Sequence, residues 1–296
     1  MNGKKIEPII TIGLPTYNGE KTIKRTIDSI LAQTITNFKL IISDDKSTDS
    51  TPEICHEYGK KDKRIKYIQK NKNKGWIKNF RSLAKKSNTK YFVWISQDDY
   101  WDKQFIEKNL NFLETNPKIV GSISDIELFG KNIKNYEIEG KDEFIEIKNS
   151  KPKIVRSIKG TYEQKIRNVM EFNWIVNFYS IFRTKELQVS LIDDNFISWD
   201  FAITLNIIKF GDLHVLDEIL GYRDTEGVTS QKSFINVLKT QKLGWFKTYF
   251  PYVPITIWCL KNLGLKNFIK NNTYFRNQNF HSGKKIIREL IMNLKK

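Results

Sequence analysis

A chain of 296 residues, 40% of them hydrophobic, is long enough for one large domain or two modest domains with a real core. Two cysteines lie far apart without a CxxC partner, so the sequence indicates neither a disulfide framework nor a zinc site. The net charge of +17 is concentrated at one end, because the segment from Lys232 onward has 13 Lys and Arg against one acid, Glu289.

Targeting and common cofactor motifs are absent from the sequence. The opening MNGKKIEPII has no apolar signal core, and no stretch reaches the roughly 18 apolar residues of a membrane span. We therefore expect a cytoplasmic protein. The sequence has no GxGxxG, P-loop or HExxH motif, which argues against dinucleotide oxidoreductases, NTPases and zinc proteases.

The first hundred residues alternate between strand and helix patterns. The apolar run 8–14 is typical of a strand, and Ile23, Ile27 and Ile30 follow at helical spacing. Later patterns predict strands at 38–43, 65–69 and 91–96, a helix at 52–58 capped by Asp49 or Ser50, and a helix around 76–86. This alternation predicts parallel strands joined by right-handed crossovers, with ligands at the carboxyl ends of the strands.

The second half is less regular. We predict a helix capped by Asp102, a strand at 119–125, and a variable loop or small hairpin between 127 and 160. Residues 173–182 have a strand-like pattern, and a helix is predicted near 200–210.

Acidic residues follow the predicted strands where this topology places ligands. Asp98 and Asp99 follow a strand too apolar to be exposed, and two carboxylates there repel each other unless a cation lies beside them. Magnesium-like ions are held by one or two carboxylates together with phosphates. Taken alone, an acid pair at a strand–helix junction is more often a simple helix cap.

A polar turn, Pro15-Thr16-Tyr17-Asn18-Gly19, ends the first predicted strand. It can place an aromatic face beside a planar base while its polar groups hold the edge of that base. An ordinary turn has the same composition.

In their order and spacing, these segments resemble the family-2 glycosyltransferases of GT-A fold. TIGLPTYNGEKTIKRTIDSILAQTITNFKLIISDDKSTDST resembles the opening signature of that family, and NKNKGWIKNF resembles its segment after the third strand. ISQDDYW resembles its metal-binding D-x-D motif, and WDFAITLNIIKFGDLHVLDEILGYRDTEGVTS resembles its catalytic-base helix and closing strand. The resemblance implies an α/β fold with a GT-A-like, Rossmann-like mixed sheet flanked by helices.

Site residues are implied position by position. Asp200 would be the general base, and Asp99 would bind Mn²⁺ or Mg²⁺. The implied nucleotide-sugar-binding residues are Pro15, Thr16, Tyr17, Asn18, Asp45, Asn79, Asp98 and Arg223.

The implied activity is an inverting, metal-assisted single displacement from a nucleoside-diphosphate sugar, most commonly a UDP-sugar, to a hydroxyl of a glycan or lipid-linked saccharide. A nucleotide-sugar-binding protein without catalysis and a nucleotidyltransferase remain alternatives.

Two positions depart from the pattern of the family, and two others have alternative roles. Gln97 occupies the place of an acid in the D-x-D motif, and Thr225 stands where many relatives have a histidine, which leaves a second metal ligand unassigned. Arg223 contacts either the diphosphate or only solvent. Trp199 either floors an acceptor pocket or packs in the core.

A basic, aromatic-rich helical extension, residues 233–296, is expected after a catalytic domain of residues 1–232, itself divided into a nucleotide-sugar-binding half (1–99) and an acceptor half (100–232). Pro251 and Pro254 predict two short helices. Such a segment binds an anionic membrane surface, packs on the catalytic domain, or binds a polyanionic glycan or nucleic acid; we expect no specific nucleic acid partner. The first case implies a peripheral protein on the inner face of the plasma membrane.

Overall fold

A computed structural model describes residues 7–130, 155–172, 175–226 and 233–294. The strands are β1 (Ile10–Thr16), β2 (Phe38–Asp44), β3 (Ile65–Gln69), β4 (Tyr91–Trp94), β5 (Tyr100–Trp101), β6 (Ile119–Phe129), β7 (Ile181–Arg183) and β8 (Asp212–Asp224). The helices before the C-terminal region are α1 (Ile23–Leu31), α2 (Thr51–Lys61), α3 (Trp76–Lys85), α4 (Phe105–Thr115), α5 (Tyr162–Phe172), α6 (Thr184–Ser190) and α7 (Trp199–Ile207), with a 3₁₀ helix at Ile175–Tyr179.

The eight strands form one mixed sheet in the order β3-β2-β1-β4-β7-β6-β8-β5. Strands β1 to β4 are parallel, as the alternation of strands and helices predicts. Strand β7 is antiparallel to both of its neighbours, whereas β6 and β8 are parallel to each other. The predicted mixed α/β sheet flanked by helices is therefore confirmed.

Strand alternation divides the core between the two faces of the sheet. In β4, Tyr91 and Val93 pack on one face with α1 and α4, while Phe92 and Trp94 pack on the other with α3 and α7. All four side chains are fully buried. Successive strand residues point to opposite faces, so a central strand covered on both sides reads as one continuous apolar run.

Several local predictions are wrong in detail. Residues 175–179 form a 3₁₀ helix, and the strand within 173–182 is limited to β7 and continues to Arg183. Helix α4 begins at Phe105 and not at Asp102, whose carboxylate accepts the N–H of Gln104 in the preceding turn. The loop or hairpin predicted between 127 and 160 lies largely outside the described residues, although β6 extends to Phe129.

The C-terminal region is helical, as predicted, but its described part, residues 233–294, has five helices where two were expected. They are α8 (Phe234–Thr240), α9 (Trp245–Tyr249), α10 (Val253–Asn262), α11 (Leu265–Lys270) and α12 (Asn272–Leu294). Tyr252, Trp258 and Phe275 are buried in the same apolar cluster as α7, so part of the region packs on the sheet domain. Among the described residues, no helix is both long and apolar enough to cross a membrane.

Candidate active site

The first predicted site elements meet at the carboxyl edge of β1 and β2. Thr16 and Asp44 are register partners at the ends of these parallel strands, and the N–H of Asp45 donates to the carbonyl of Thr16 at 2.9 Å. The crossover topology thus places residues 15–18 beside Asp45, although about 30 residues separate them in the sequence.

The turn after β1 presents one aromatic side chain to solvent. Pro15 and Thr16 are buried, whereas Tyr17 is 42% exposed. Asn18 has a positive φ of 51° and ties this turn to the next loop, because its N–H donates to Ser47 Oγ at 2.9 Å and its side-chain oxygen accepts the N–H of Thr48 at 2.9 Å. The turn is therefore held rigidly, with the ring of Tyr17 accessible to a ligand.

Gln97 links this turn to the acidic turn after β4. Its side-chain oxygen accepts the hydroxyl of Thr16 at 2.5 Å and the N–H of Tyr17 at 2.9 Å, and its amide nitrogen donates to the carbonyl of Tyr17 at 3.2 Å. Gln97 is 8% exposed. The residue that replaces an acid of the D-x-D pattern thus joins the two halves of the site.

Asp45 is buried beneath the loop that follows β3. Its two carboxylate oxygens accept the N–H groups of Lys74 and Gly75 at 2.8–3.0 Å, and Lys70 Nζ lies 3.8 Å away. The carboxylate is 2% exposed. In this structure Asp45 holds the loop, and its contact with a base stays a prediction.

Asn79 lies behind that loop in α3. Its amide nitrogen donates to the carbonyl of Ser43 at 2.7 Å, while its buried side-chain oxygen has no hydrogen-bond partner among the described residues. A buried acceptor without a partner is unusual, so Asn79 keeps a hydrogen-bonding capacity beside the strand ends.

The environment of Asp98 and Asp99 disfavours the ionised form of both carboxyl groups. Burial raises the pKa of Asp98, and burial followed by the charge of Asp98 raises the pKa of Asp99 to about 8. Arg223 counteracts both shifts. Two neighbouring carboxylates under these conditions favour a cation beside them.

This acidic turn is fixed by contacts from α1 and β8. Arg25 donates to the carbonyl of Asp98 at 2.6 Å and pairs with the carboxylate of Asp224 at 3.1 Å. The N–H of Asp224 donates to Asp99 Oδ1 at 3.0 Å. The described residues hold no group of three or more His, Cys, Asp or Glu side chains arranged for a metal ion.

Tyr179 connects the acidic turn with the helix that carries Asp200. Its hydroxyl lies 3.0 Å from Ser96 Oγ, and the Arg223 guanidinium lies 5.4 Å from its ring centroid. Burial raises the pKa of Tyr179; the positive Arg223 opposes the shift, and the charges of Asp99 and Asp200 increase it. A pocket beside this tyrosine is also lined by Asp99 and Arg223.

Asp200 lies in the first turn of α7, with 8% of its surface exposed. Its Oδ1 accepts the N–H of Phe201 at 2.9 Å. The preceding Ser198 has a φ of 61°, which turns the chain sharply into the helix. Asp200 is close enough to Tyr179 for its charge to raise the pKa of that tyrosine, as the charge of Asp99 does.

Trp199 is fully buried and packs edge-on against Trp76, Phe80, Trp94 and Phe178, with ring centroids 5.1–6.4 Å apart. Core packing accounts for these contacts, whereas the acceptor role stays a prediction. Its indole N–H has no hydrogen-bond partner among the described residues.

Sequence reasoning missed Tyr179 and the clamp formed by Gln97. The sequence pattern predicts a strand at Tyr179. In the structure this residue ends a 3₁₀ helix, and its hydroxyl lies beside Ser96 Oγ. For Gln97 the sequence indicates only that an acid of the D-x-D motif is missing. Its replacement of an acid was the available signal, because a neutral acceptor at that position suits hydrogen bonding to backbone N–H groups.

A comparison with models of known protein families shows the family of this chain. The model of glycosyl transferase family 2 matches residues 11–181, more than half of the chain. The chain belongs to this family. The matched residues include Asp45, the Asp98–Asp99 turn and Tyr179. Asp200 and Arg223 lie beyond the end of the match.

Curated family-2 relatives are similar over about a third of the chain. The putative teichuronic acid biosynthesis glycosyltransferase TuaG of Bacillus subtilis is 32% identical over 107 residues, 36% of this chain and 42% of the relative. The UDP-Glc:alpha-D-GlcNAc-diphosphoundecaprenol beta-1,3-glucosyltransferase WfaP of Escherichia coli is 36% identical over 107 residues, with the same coverage. The alignments therefore span well under half of these relatives.

Solved structures share the family-2 GT-A fold. S. aureus TarS 1–349 in complex with UDP-GlcNAc has a TM-score of 0.62 at 18% identity, covering 92% of this chain and 72% of that chain. The mannosyltransferase PcManGT from Pyrobaculum calidifontis, in complex with GDP-Man and Mn²⁺, has a TM-score of 0.59 at 11% identity, covering 98% and 76%. At these identities, the similarity supports the fold alone.

Proposed function

We propose that this chain is an inverting glycosyltransferase that moves a sugar from a nucleoside-diphosphate sugar to a hydroxyl group. The observation that carries the proposal is the convergence of Asp99, Arg223 and Asp200 around Tyr179, with Asp98 beside Asp99. Family membership and the matched motifs support the same chemistry.

The donor is held by the strand-end residues in this proposal. Tyr17 stacks on the base, with Pro15, Thr16, Asn18, Asp45 and Asn79 forming the rest of the base pocket. Asp98 faces the ribose or donor sugar, and Arg223 contacts the diphosphate. A UDP-sugar is the favoured donor, because UDP-GlcNAc is bound by TarS and UDP-Glc is named for WfaP.

The Asp98–Asp99 turn is suited to a divalent cation. Both side chains offer hard oxygen ligands, and burial, which raises their pKa values, disfavours their ionised forms unless a cation lies beside them. In this proposal Asp99 would hold the Mn²⁺ or Mg²⁺ ion. When bound, such an ion stabilises the charge on the leaving diphosphate.

The residues of the chain then supply the remaining steps. Asp200 takes the proton of the attacking hydroxyl as the new glycosidic bond forms and the bond to the diphosphate breaks. A single base without a covalent nucleophile gives inversion at the anomeric carbon. Tyr179 supplies a neutral hydroxyl near Asp99 and Asp200, since burial raises its pKa still further above neutrality.

We propose a lipid-linked saccharide or another glycan as the acceptor, at the cytoplasmic side of a membrane. The name of WfaP includes a diphosphoundecaprenol-linked acceptor, and that of TuaG includes teichuronic acid biosynthesis. The basic C-terminal helices are consistent with work beside anionic lipid.

Asp200→Asn tests the proposal, with Asp62→Asn as a remote control. We expect Asp200→Asn to lower nucleoside-diphosphate release by about 10²–10⁴-fold while calorimetric affinity for the nucleotide stays unchanged. Asp62, in the turn before β3, pairs with Arg64, so its variant should keep full turnover. Retained anomeric configuration, release of pyrophosphate, or unaltered turnover in Asp200→Asn would each overturn the proposal.

A further inference from the structure

Exposed apolar side chains are concentrated in the C-terminal helices. The described residues expose 15 large hydrophobic side chains, and 12 of them lie between Trp245 and Met292. Only Tyr17, Val189 and Phe210 lie elsewhere. Isolated exposed apolar residues are ordinary, whereas a concentration of this kind marks an interaction surface.

Helix α12 places three of its five exposed large apolar residues in one outward stripe. The stripe consists of Phe280, Lys284, Ile287 and Ile291, which follow the helical spacing i, i+4, i+7 and i+11. Phe280, Ile287 and Ile291 are 66%, 58% and 47% exposed. The opposite side of the helix buries Phe275, Gln278, Ser282 and Ile286 against the protein. The stripe thus extends about 16 Å along the helix axis.

Positive charge lies within the stripe, at Lys284, and next to it on the same helix. Arg276, Lys284, Lys285 and Arg288 are all exposed. The single acid of α12, Glu289, accepts the N–H groups at the start of α8, those of Phe234 and Ile235, at 2.7 and 3.0 Å. The carboxylate is therefore occupied by the protein itself, and the outward face remains cationic.

These features favour one partner over others. A second copy of the chain would bring two cationic stripes together, which is electrostatically unfavourable. Nucleic acid offers phosphates but little for aliphatic side chains, because bases stack on planar groups. An anionic bilayer offers negative headgroups beside hydrocarbon, and an amphipathic helix binds it lying in the interface.

We propose that α12 lies in the plane of an anionic lipid surface, with Phe280, Ile287 and Ile291 inserted below the headgroups and Lys284 and Arg288 at headgroup level. This docking surface stands independently of the sugar-transfer chemistry. It specifies which side of the C-terminal region meets the membrane.

Contacts from α12 carry this orientation to the sheet domain. The ring of Tyr274 stacks on Phe201 with centroids 5.3 Å apart, directly after Asp200 in α7. The side-chain amide of Asn279 donates to Thr256 Oγ1 in α10 at 2.9 Å. A membrane-bound α12 therefore holds the helix of the proposed base at a fixed height above the lipid.

Vesicle flotation of the 296-residue chain tests the surface. We expect binding to vesicles containing phosphatidylglycerol, weaker binding at high salt, and little binding to phosphatidylcholine alone. Ile287→Ser combined with Ile291→Ser should weaken binding at least tenfold. Val189→Ser combined with Phe210→Ser removes exposed apolar groups outside the C-terminal helices and should leave binding unchanged.

A charge variant and a mass measurement complete the design. Lys284→Gln combined with Arg288→Gln should weaken binding to phosphatidylglycerol vesicles while the melting temperature stays constant. No flotation, equal binding by the Ile287/Ile291 variant, or equal binding to both kinds of vesicle would overturn the proposal. A dimer in light scattering that the isoleucine variant converts to monomer would instead assign the stripe to self-association and also overturn it.

Discussion

Gln97→Ala is the sharpest test of how the site is assembled. The substitution removes an acceptor for the Thr16 hydroxyl and the Tyr17 N–H and a donor to the Tyr17 carbonyl. Each lost hydrogen bond costs about 1 kcal/mol, and a buried group left without a partner costs about 1–3 kcal/mol. We therefore expect a loss of roughly 2–4 kcal/mol, which lowers the melting temperature by roughly 5–10 °C for a domain of this size.

The same substitution should also weaken nucleotide binding, because the turn that carries Tyr17 loses its support. A tenfold weaker affinity for UDP, about 1.4 kcal/mol, is the expected size by calorimetry. Gln188→Ala is a matched control. Its side-chain amide donates to the carbonyls of Ala84 and Ser87 at 3.0 and 2.8 Å. These residues precede β4, away from the carboxyl ends of the strands.

The control should lose stability without losing UDP affinity. If Gln97→Ala melts like the unchanged chain, the hydrogen-bond reasoning is wrong. If it melts lower but binds UDP equally well, the turn does not form the base pocket.

Further predictions concern the acidic turn, its arginine and the sheet. Burial and the charge of Asp98 raise the pKa of Asp99 to about 8, so protons compete with Mn²⁺ for this carboxylate below that pH. The Mn²⁺ affinity measured by calorimetry should therefore rise toward about pH 8 and then level off, and an affinity that does not change with pH contradicts this. Arg223→Lys should raise the donor KM about tenfold, since the planar fork is lost; an unchanged KM refutes a diphosphate contact. Gly211→Ala places Cβ 2.4 Å from the backbone oxygen of Lys118, so melting should fall sharply; unchanged melting contradicts the tight β6–β8 approach.

The nucleotide-binding half of the fold follows directly from local patterns. Apolar runs and helical spacing located β1 to β4 and α1 to α3 within a few residues. Strands β1, β2 and β4 are covered on both faces and read as apolar runs, whereas the edge strand β3 is buried only in part. The two-residue strand β5 was missed, since Tyr100 and Trp101 pair only with residues far away in β8. Long-range pairing of so short a segment leaves no local periodicity.

The site was only partly accessible to sequence reasoning. Asp98 and Asp99 were identifiable because they follow an unmistakable buried strand. Tyr179 was not identifiable, because its segment alternates like a strand. In the structure Phe178 of this segment packs against Trp94 and Trp199, and the segment forms a 3₁₀ helix. Competition between local pattern and aromatic packing decided that region.

The extra C-terminal helices have a similar explanation. Gly244 and Gly264, with φ of 81° and 79°, each begin a new helix, so glycine breaks the segment at positions where only proline was considered. The number of helices was therefore underestimated.

Calorimetry of nucleotide binding with and without Mn²⁺ tests the central claim most directly, using UDP, GDP, dTDP and CDP on the unchanged chain and on Asp99→Asn. The account predicts that one nucleotide binds tightly only with Mn²⁺, and that Asp99→Asn removes the Mn²⁺-dependent part. Equal binding with and without the metal, or an Asp99→Asn variant that keeps the full Mn²⁺ effect, would contradict it.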